Sequence, residues 1–113
     1  MRLDYILEGI DTAGIHGDTG IDITDITTDS RQCRPGCLFI AVPGFESDGH
    51  SYIGKAIEAG ASAVMYQHPE AAGEIIGSGI TAVRVGDTRG AVPDAAGNFF
   101  GHPSADINLI GVT

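Results

Sequence analysis

Residues 37–42 read Cys-Leu-Phe-Ile-Ala-Val, an unbroken apolar run with Pro35-Gly36 before it and Pro43-Gly44 after it. A strand with one wet face alternates apolar and polar positions. A run with no polar position predicts a strand buried on both faces, as in a largely parallel sheet with helices above and below.

The flanking segments fit that frame. Downstream, residues 50–59 place Ile53, Ala56 and Ile57 on one helical face, and Gly60 is a C-terminal stop. A strand is predicted over 61–66 (ASAVMY), a short helix over Glu70–Ile76 and a strand over 80–85 (ITAVRV). Residues 87–100 carry a helical stripe of Ala91, Val92, Ala95, Ala96, Phe99 and Phe100, with Asp87 at the N-cap position. Pro93 lies inside that stripe and is expected to shift the helix start or kink it. A last strand is predicted over 107–112 (INLIGV). Upstream, 21–26 (IDITDI) reads as a strand. Leu3, Ile6, Leu7 and Ile10 have helical spacing, and Gly9 ends that helix. No element is assigned to the Gly- and Asp-rich stretch that runs to Gly20. The predicted class is α/β, with a mixed, largely parallel sheet of about five strands flanked by helices.

A length of 113 residues suits one domain, residues 1–113, and a hydrophobic fraction of 42% suits a folded one. The net charge is -9, and the six Lys and Arg residues are scattered. A phosphate backbone needs clustered cations, so no nucleic-acid partner is expected. One small anion can still be held by local N–H groups and a single Arg. No apolar run reaches the ~18 residues of a membrane span and no signal peptide is read at Met1, so a soluble cytoplasmic protein without a membrane partner is expected. Cys33 and Cys37 are then expected to be reduced. The chain stops on a buried-type strand at Gly-Val-Thr. That ending reads as a boundary inside a longer protein, the alternative being a natural strand that closes the sheet.

Two loops offer chemistry. Thr27-Thr28-Asp29-Ser30-Arg31 follows a strand, where α/β folds bind ligands. Its hydroxyls can reach phosphate or sugar oxygens, and Asp29 can fold back on backbone amides. Arg31 either contacts phosphate or pairs with Asp29. The second loop, Pro43-Gly44-Phe45-Glu46-Ser47-Asp48-Gly49-His50, can turn successive N–H groups toward an anion, with Asp48 capping the next helix. The plain alternative for both loops is an ordinary turn. His16, His50, His68 and His102 are dispersed, and a zinc site needs about four ligands, so no metal site and no catalytic residue are expected. No Gly-rich loop followed by Lys-Ser/Thr occurs.

The stretch TTDSRQCRPGCLFIAVPGFESDGHSYIGKAIEAGASAVM, with Asp-Ser-Arg, a Pro-Gly turn, Leu-Phe-hydrophobic-Ala, a Gly loop and Asp-Gly-His in order, resembles the N-terminal domain shared by Mur ligases of the MurE and MurF branches. The tail, with Phe-Phe-x-x-Pro-Ser and Leu-Ile-Gly-Val-Thr, is similar to the MurE form that precedes an ATP-binding loop. GAVPDAAG departs from the family's uninterrupted Ala/Leu-rich helix. The resemblance implies an N-terminal domain that holds the UDP end of UDP-N-acetylmuramoyl-L-alanyl-D-glutamate, with central ATPase and C-terminal amino-acid domains absent from this chain. The full-length ligase would use ATP and Mg2+, neither bound by this domain. It would add a diamino acid, meso-diaminopimelate rather than L-lysine, to a peptidoglycan precursor, and this fragment alone would be inactive. Alternatives are a MurF-type domain of a D-alanyl-D-alanine-adding ligase and a non-catalytic interaction domain. Matched residue by residue, Thr28 and Ser30 would contact the UDP-sugar, and Phe45, Glu46 and Ser47 would line the uridine and diphosphate.

Overall fold

The computed structural model describes residues 1–44 and 48–100. Five strands form one sheet in the order β1-β5-β4-β3-β2: β1 (Thr12–His16), β2 (Asp25–Thr27), β3 (Cys37–Ile40), β4 (Ala63–Tyr66) and β5 (Thr81–Val85). Strands β2 to β5 pair in parallel and β1 pairs antiparallel with β5. The helices are α1 (Leu3–Ile6), α2 (Ile53–Glu58), α3 (Ala72–Gly77) and α4 (Thr88–Phe100).

The period-two alternation of β3 builds two cores. Leu38 and Ile40 pack with Met65 and Val83, against Leu3 and Ile6 of α1 and Ala91 and Ala95 of α4. Cys37 and Phe39 face the other way, onto Val64 and Ala82, with Ile53 and Ala56 of α2 and Ile75 of α3. Every β3 residue is buried, as a strand covered on both faces must be. Phe39 is fully buried, which removes about 2–3 kcal/mol of apolar hydration cost from the folded state.

Several boundaries differ from the sequence reading. The strand expected over 21–26 is β2 at Asp25–Thr27, because residues 21–23 pair locally with the N-terminus: Leu3 N–H donates to Ile21 O and Ile23 N–H to Met1 O. The helix expected over 50–59 opens as a 3-10 turn, Gly49–Tyr52, and becomes α-helical only at Ile53. It closes at Gly60, whose φ of 105° suits glycine. The helix expected at Glu70–Ile76 likewise starts as a 3-10 turn, Pro69–Ala71, before α3. Pro93 neither delays nor divides α4, which runs from Thr88 through it. Strand β1 has no counterpart in the sequence reading. It is an edge strand with four of its five residues exposed and a register shift at Gly14, so it carries no apolar alternation. The strand expected over 107–112 lies outside the described residues. Cys33 and Cys37, expected as free thiols, form a disulfide.

Candidate functional site

Strands β2 and β3 are parallel neighbours, so the loops leaving their carboxyl ends share one edge of the sheet. Between them lies an open cavity of about 500 Å³, lined by Thr28, Asp29, Ser30 and Arg31 on one side and Val42, Gly49, Tyr52 and Lys55 on the other.

The first rim is fixed by its own side chains. Thr27 Oγ1 accepts the Asp29 amide at 3.0 Å, and Asp29 Oδ1 accepts the Arg31 amide at 2.9 Å, capping the 3-10 turn Ser30–Gln32. The Arg31 guanidinium then grips the same carboxylate through both oxygens, at 3.1 and 3.0 Å. The Arg31 side chain, and next its amide, hold Asp29 below the usual carboxylate range. Arg31 is raised in turn, chiefly by its hydrogen bond to Asp29. Of the two roles open to Arg31 in the sequence, the structure displays the pairing. Neither Thr28 nor Ser30 has a side-chain hydrogen-bond partner among the described residues, which leaves both hydroxyls free at the cavity.

The second rim rests on a polar knot. Asp48 Oδ1 accepts the His50 amide at 3.0 Å, the capping role expected for it, and also the His50 ring at Nδ1, 2.7 Å away. Its Oδ2 meets His68 Nε2 at 2.9 Å. His50 Nε2 accepts two backbone amides, Gln67 at 3.0 Å and His68 at 3.2 Å. A nitrogen that accepts cannot carry a proton, so His50 is neutral with its hydrogen on Nδ1, pointed at Asp48. The two imidazole centroids lie 3.9 Å apart, with the ring planes tilted by 31°. Burial pushes the Asp48 carboxyl up, but the His50 amide and then the His50 and His68 rings outweigh it and bring it down to about 2.

The knot extends to α4. Gln67 Oε1 accepts both the amide and the hydroxyl of Thr88, each at 2.9 Å, which caps the first turn of the helix. Arg89 donates to Pro43 O at the start of the second loop. Gly49 closes the rim: its amide donates to Val42 O at 2.9 Å, and a Cβ there would stand 2.6 Å from Val42 N.

Asp48, His50 and His68 are the one group among the described residues that could hold a metal ion. The sequence reading treats these histidines as dispersed; the fold brings them together. Their atoms are already committed, however. A metal on His50 Nδ1 would displace the proton donated to Asp48 and demand an imidazolate, since Nε2 still serves two amides. Two ring nitrogens also suit Mg2+ poorly, an ion that takes oxygen ligands.

Of the five residues matched to the nucleotide by sequence, Thr28 and Ser30 line the cavity. Phe45, Glu46 and Ser47 lie outside the described residues, between Gly44 and Asp48. Sequence reasoning missed Tyr52, Lys55, Gln67 and Thr88. Lys55 is the only lysine, a usable signal; Gln67 and Thr88 carry none, because their pairing depends on how β4 and α4 meet.

A Mur ligase family profile, described as the catalytic domain, matches residues 22–99. Among curated proteins, the chain is 43% identical over its full length to the UDP-N-acetylmuramoyl-L-alanyl-D-glutamate--2,6-diaminopimelate ligase of Clostridioides difficile, of which it spans 22%. It is 41% identical to the protein of the same name from Bacteroides fragilis and 38% identical to a UDP-N-acetylmuramyl-tripeptide synthetase of Roseiflexus, again over the whole chain and 23% and 22% of those proteins. Its fold is similar to that of MurF from Acinetobacter baumannii, with a TM-score of 0.69 at 23% identity, over 86% of this chain and 20% of that one. The chain belongs to the Mur ligase family.

Proposed function

We propose that this chain is the N-terminal, UDP-anchoring domain of a cytoplasmic MurE-type ligase that adds meso-diaminopimelate to UDP-N-acetylmuramoyl-L-alanyl-D-glutamate. The observation that carries the reading is the single cavity at the ends of β2 and β3, which joins two unpaired hydroxyls to the edge of the 44–49 loop. Among the described residues, Arg31 and Lys55 both line it, with Asp29 the carboxylate beside them. In a chain of net charge -9, a lysine at this edge offers a cation for a diphosphate. Thr28 and Ser30 would donate to the UDP-sugar, and Phe45, Glu46 and Ser47 would line the uridine and diphosphate. No helix among the described residues is long and apolar enough to cross a membrane.

ATP and Mg2+ would serve the complete ligase through domains beyond this chain. The sequence has no phosphate-binding Gly-x-x-x-x-Gly-Lys-Ser/Thr loop, and the one candidate metal group does not fit Mg2+. No chemical step is assigned to residues of this chain; its part is to bind and orient. A MurF-type ligase is the second reading, on the fold similarity alone. The names of the relatives at 36–43% identity favour the MurE type. The full-length ligase decides it: ADP release with the UDP-linked dipeptide and meso-diaminopimelate supports the proposal. ADP release only with L-lysine would overturn the choice of amino acid. ADP release only with a UDP-linked tripeptide and D-alanyl-D-alanine would overturn the branch.

A further inference from the structure

We infer that Lys55, not Arg31, supplies the positive charge that holds the diphosphate; the inference rests on the nucleotide-anchoring reading above. Both cations line the cavity. The Arg31 guanidinium is already paired with Asp29 through both carboxylate oxygens, while the turn carrying Ser30 is capped separately by the Arg31 amide on Asp29. Moving the guanidinium to a ligand would break both hydrogen bonds of that pair. Lys55 has no carboxylate partner among the described residues. Its Nζ lies 5.8 Å from the centre of the Tyr52 ring, which keeps the ammonium on the cavity side of α2 without neutralising it. A flexible lysine stem can follow a phosphate while the rigid Ser30 turn sets the sugar. Tyr52 and Lys55 sit three positions apart where the 3-10 turn passes into α2, a spacing that puts them on one face in either helix type.

The pair uridine and UDP isolates the phosphate contribution, because the two share base and ribose. Both are titrated into the 113-residue chain and into Lys55→Gln and Arg31→Gln, followed by amide shifts at low and moderate salt. Lys55→Gln is expected to weaken UDP roughly fivefold while leaving uridine unchanged, and to flatten the salt dependence of UDP binding. Arg31→Gln keeps the amide cap on Asp29 and is expected to change both ligands by the same small factor. Equal effects of Lys55→Gln on the two ligands would overturn the inference, and so would a UDP-selective loss in Arg31→Gln alone. Failure of the unsubstituted chain to bind either ligand would instead overturn the nucleotide reading and the Lys55 inference with it.

Discussion

Replacing His50 by alanine removes one acceptor from two backbone amides at once. In the structure His50 Nε2 takes the Gln67 and His68 N–H groups, and Nδ1 donates to Asp48. The ring is largely enclosed, with 8% of the side chain exposed, so water does not replace it freely. A buried polar group without a partner costs about 1–3 kcal/mol. Both amides are only partly buried, so about 1 kcal/mol each is reasonable, with a similar amount for the donation to Asp48. His50→Ala is expected to lower unfolding stability by about 2–4 kcal/mol in urea, read from the midpoint at an unchanged slope. Asp48→Asn is the internal comparison. Its amide oxygen still accepts the His50 amide and ring, and only the contact to His68 must rearrange, so about 1 kcal/mol is expected. Nitrogen shifts of the imidazole should show His50 as the Nδ1–H tautomer. A loss below about 1 kcal/mol for His50→Ala, or a larger loss for Asp48→Asn, would refute the reasoning.

Two further outcomes follow from the same rim. Gly49→Ala sets a Cβ 2.6 Å from Val42 N and 2.9 Å from Val42 O, both backbone atoms. It should cost about 2 kcal/mol or more and weaken UDP binding together with stability, measured by urea titration and amide shifts. Asp48 lies below its unfolded value of 3.8, at about 2, so its contribution is fully present above pH 3.8 and is lost as the pH falls through 2. Unscreened, that difference is about 2.4 kcal/mol; with the carboxylate 37% exposed, about 1 kcal/mol is expected. Acid denaturation of Asp48→Asn, compared with the unsubstituted chain, should lack that component.

The buried strands were legible because their covering layers write directly into composition. CLFIAV and ASAVMY could hardly be anything but strands inside a two-faced sheet, and β3 and β4 lie within them. Strand β1 was not legible, since Thr12–His16 is an exposed edge and its pairing with β5 is set by backbone alone. The cavity edge could be read from Thr28, Ser30 and the Gly loop, because parallel strands place successive carboxyl ends on one side. The knot beneath that edge could not. His50 and His68 stand 18 residues apart and meet only because β3 and β4 are neighbours. Sequence spacing therefore counted as dispersed two histidines that packing brings into contact. Arg31 shows the same limit: two residues from Asp29, its pairing with that carboxylate depends on the turn geometry.

The central claim is that the edge formed by the β2 and β3 loops anchors UDP, and backbone amide shifts on adding UDP test it most directly. The account predicts shifts confined to Thr28–Arg31, the 44–49 loop, Tyr52 and Lys55, and lost in Ser30→Ala. Shifts centred elsewhere, such as on β1 or the far ends of the strands, or no shifts in a folded sample, would contradict it.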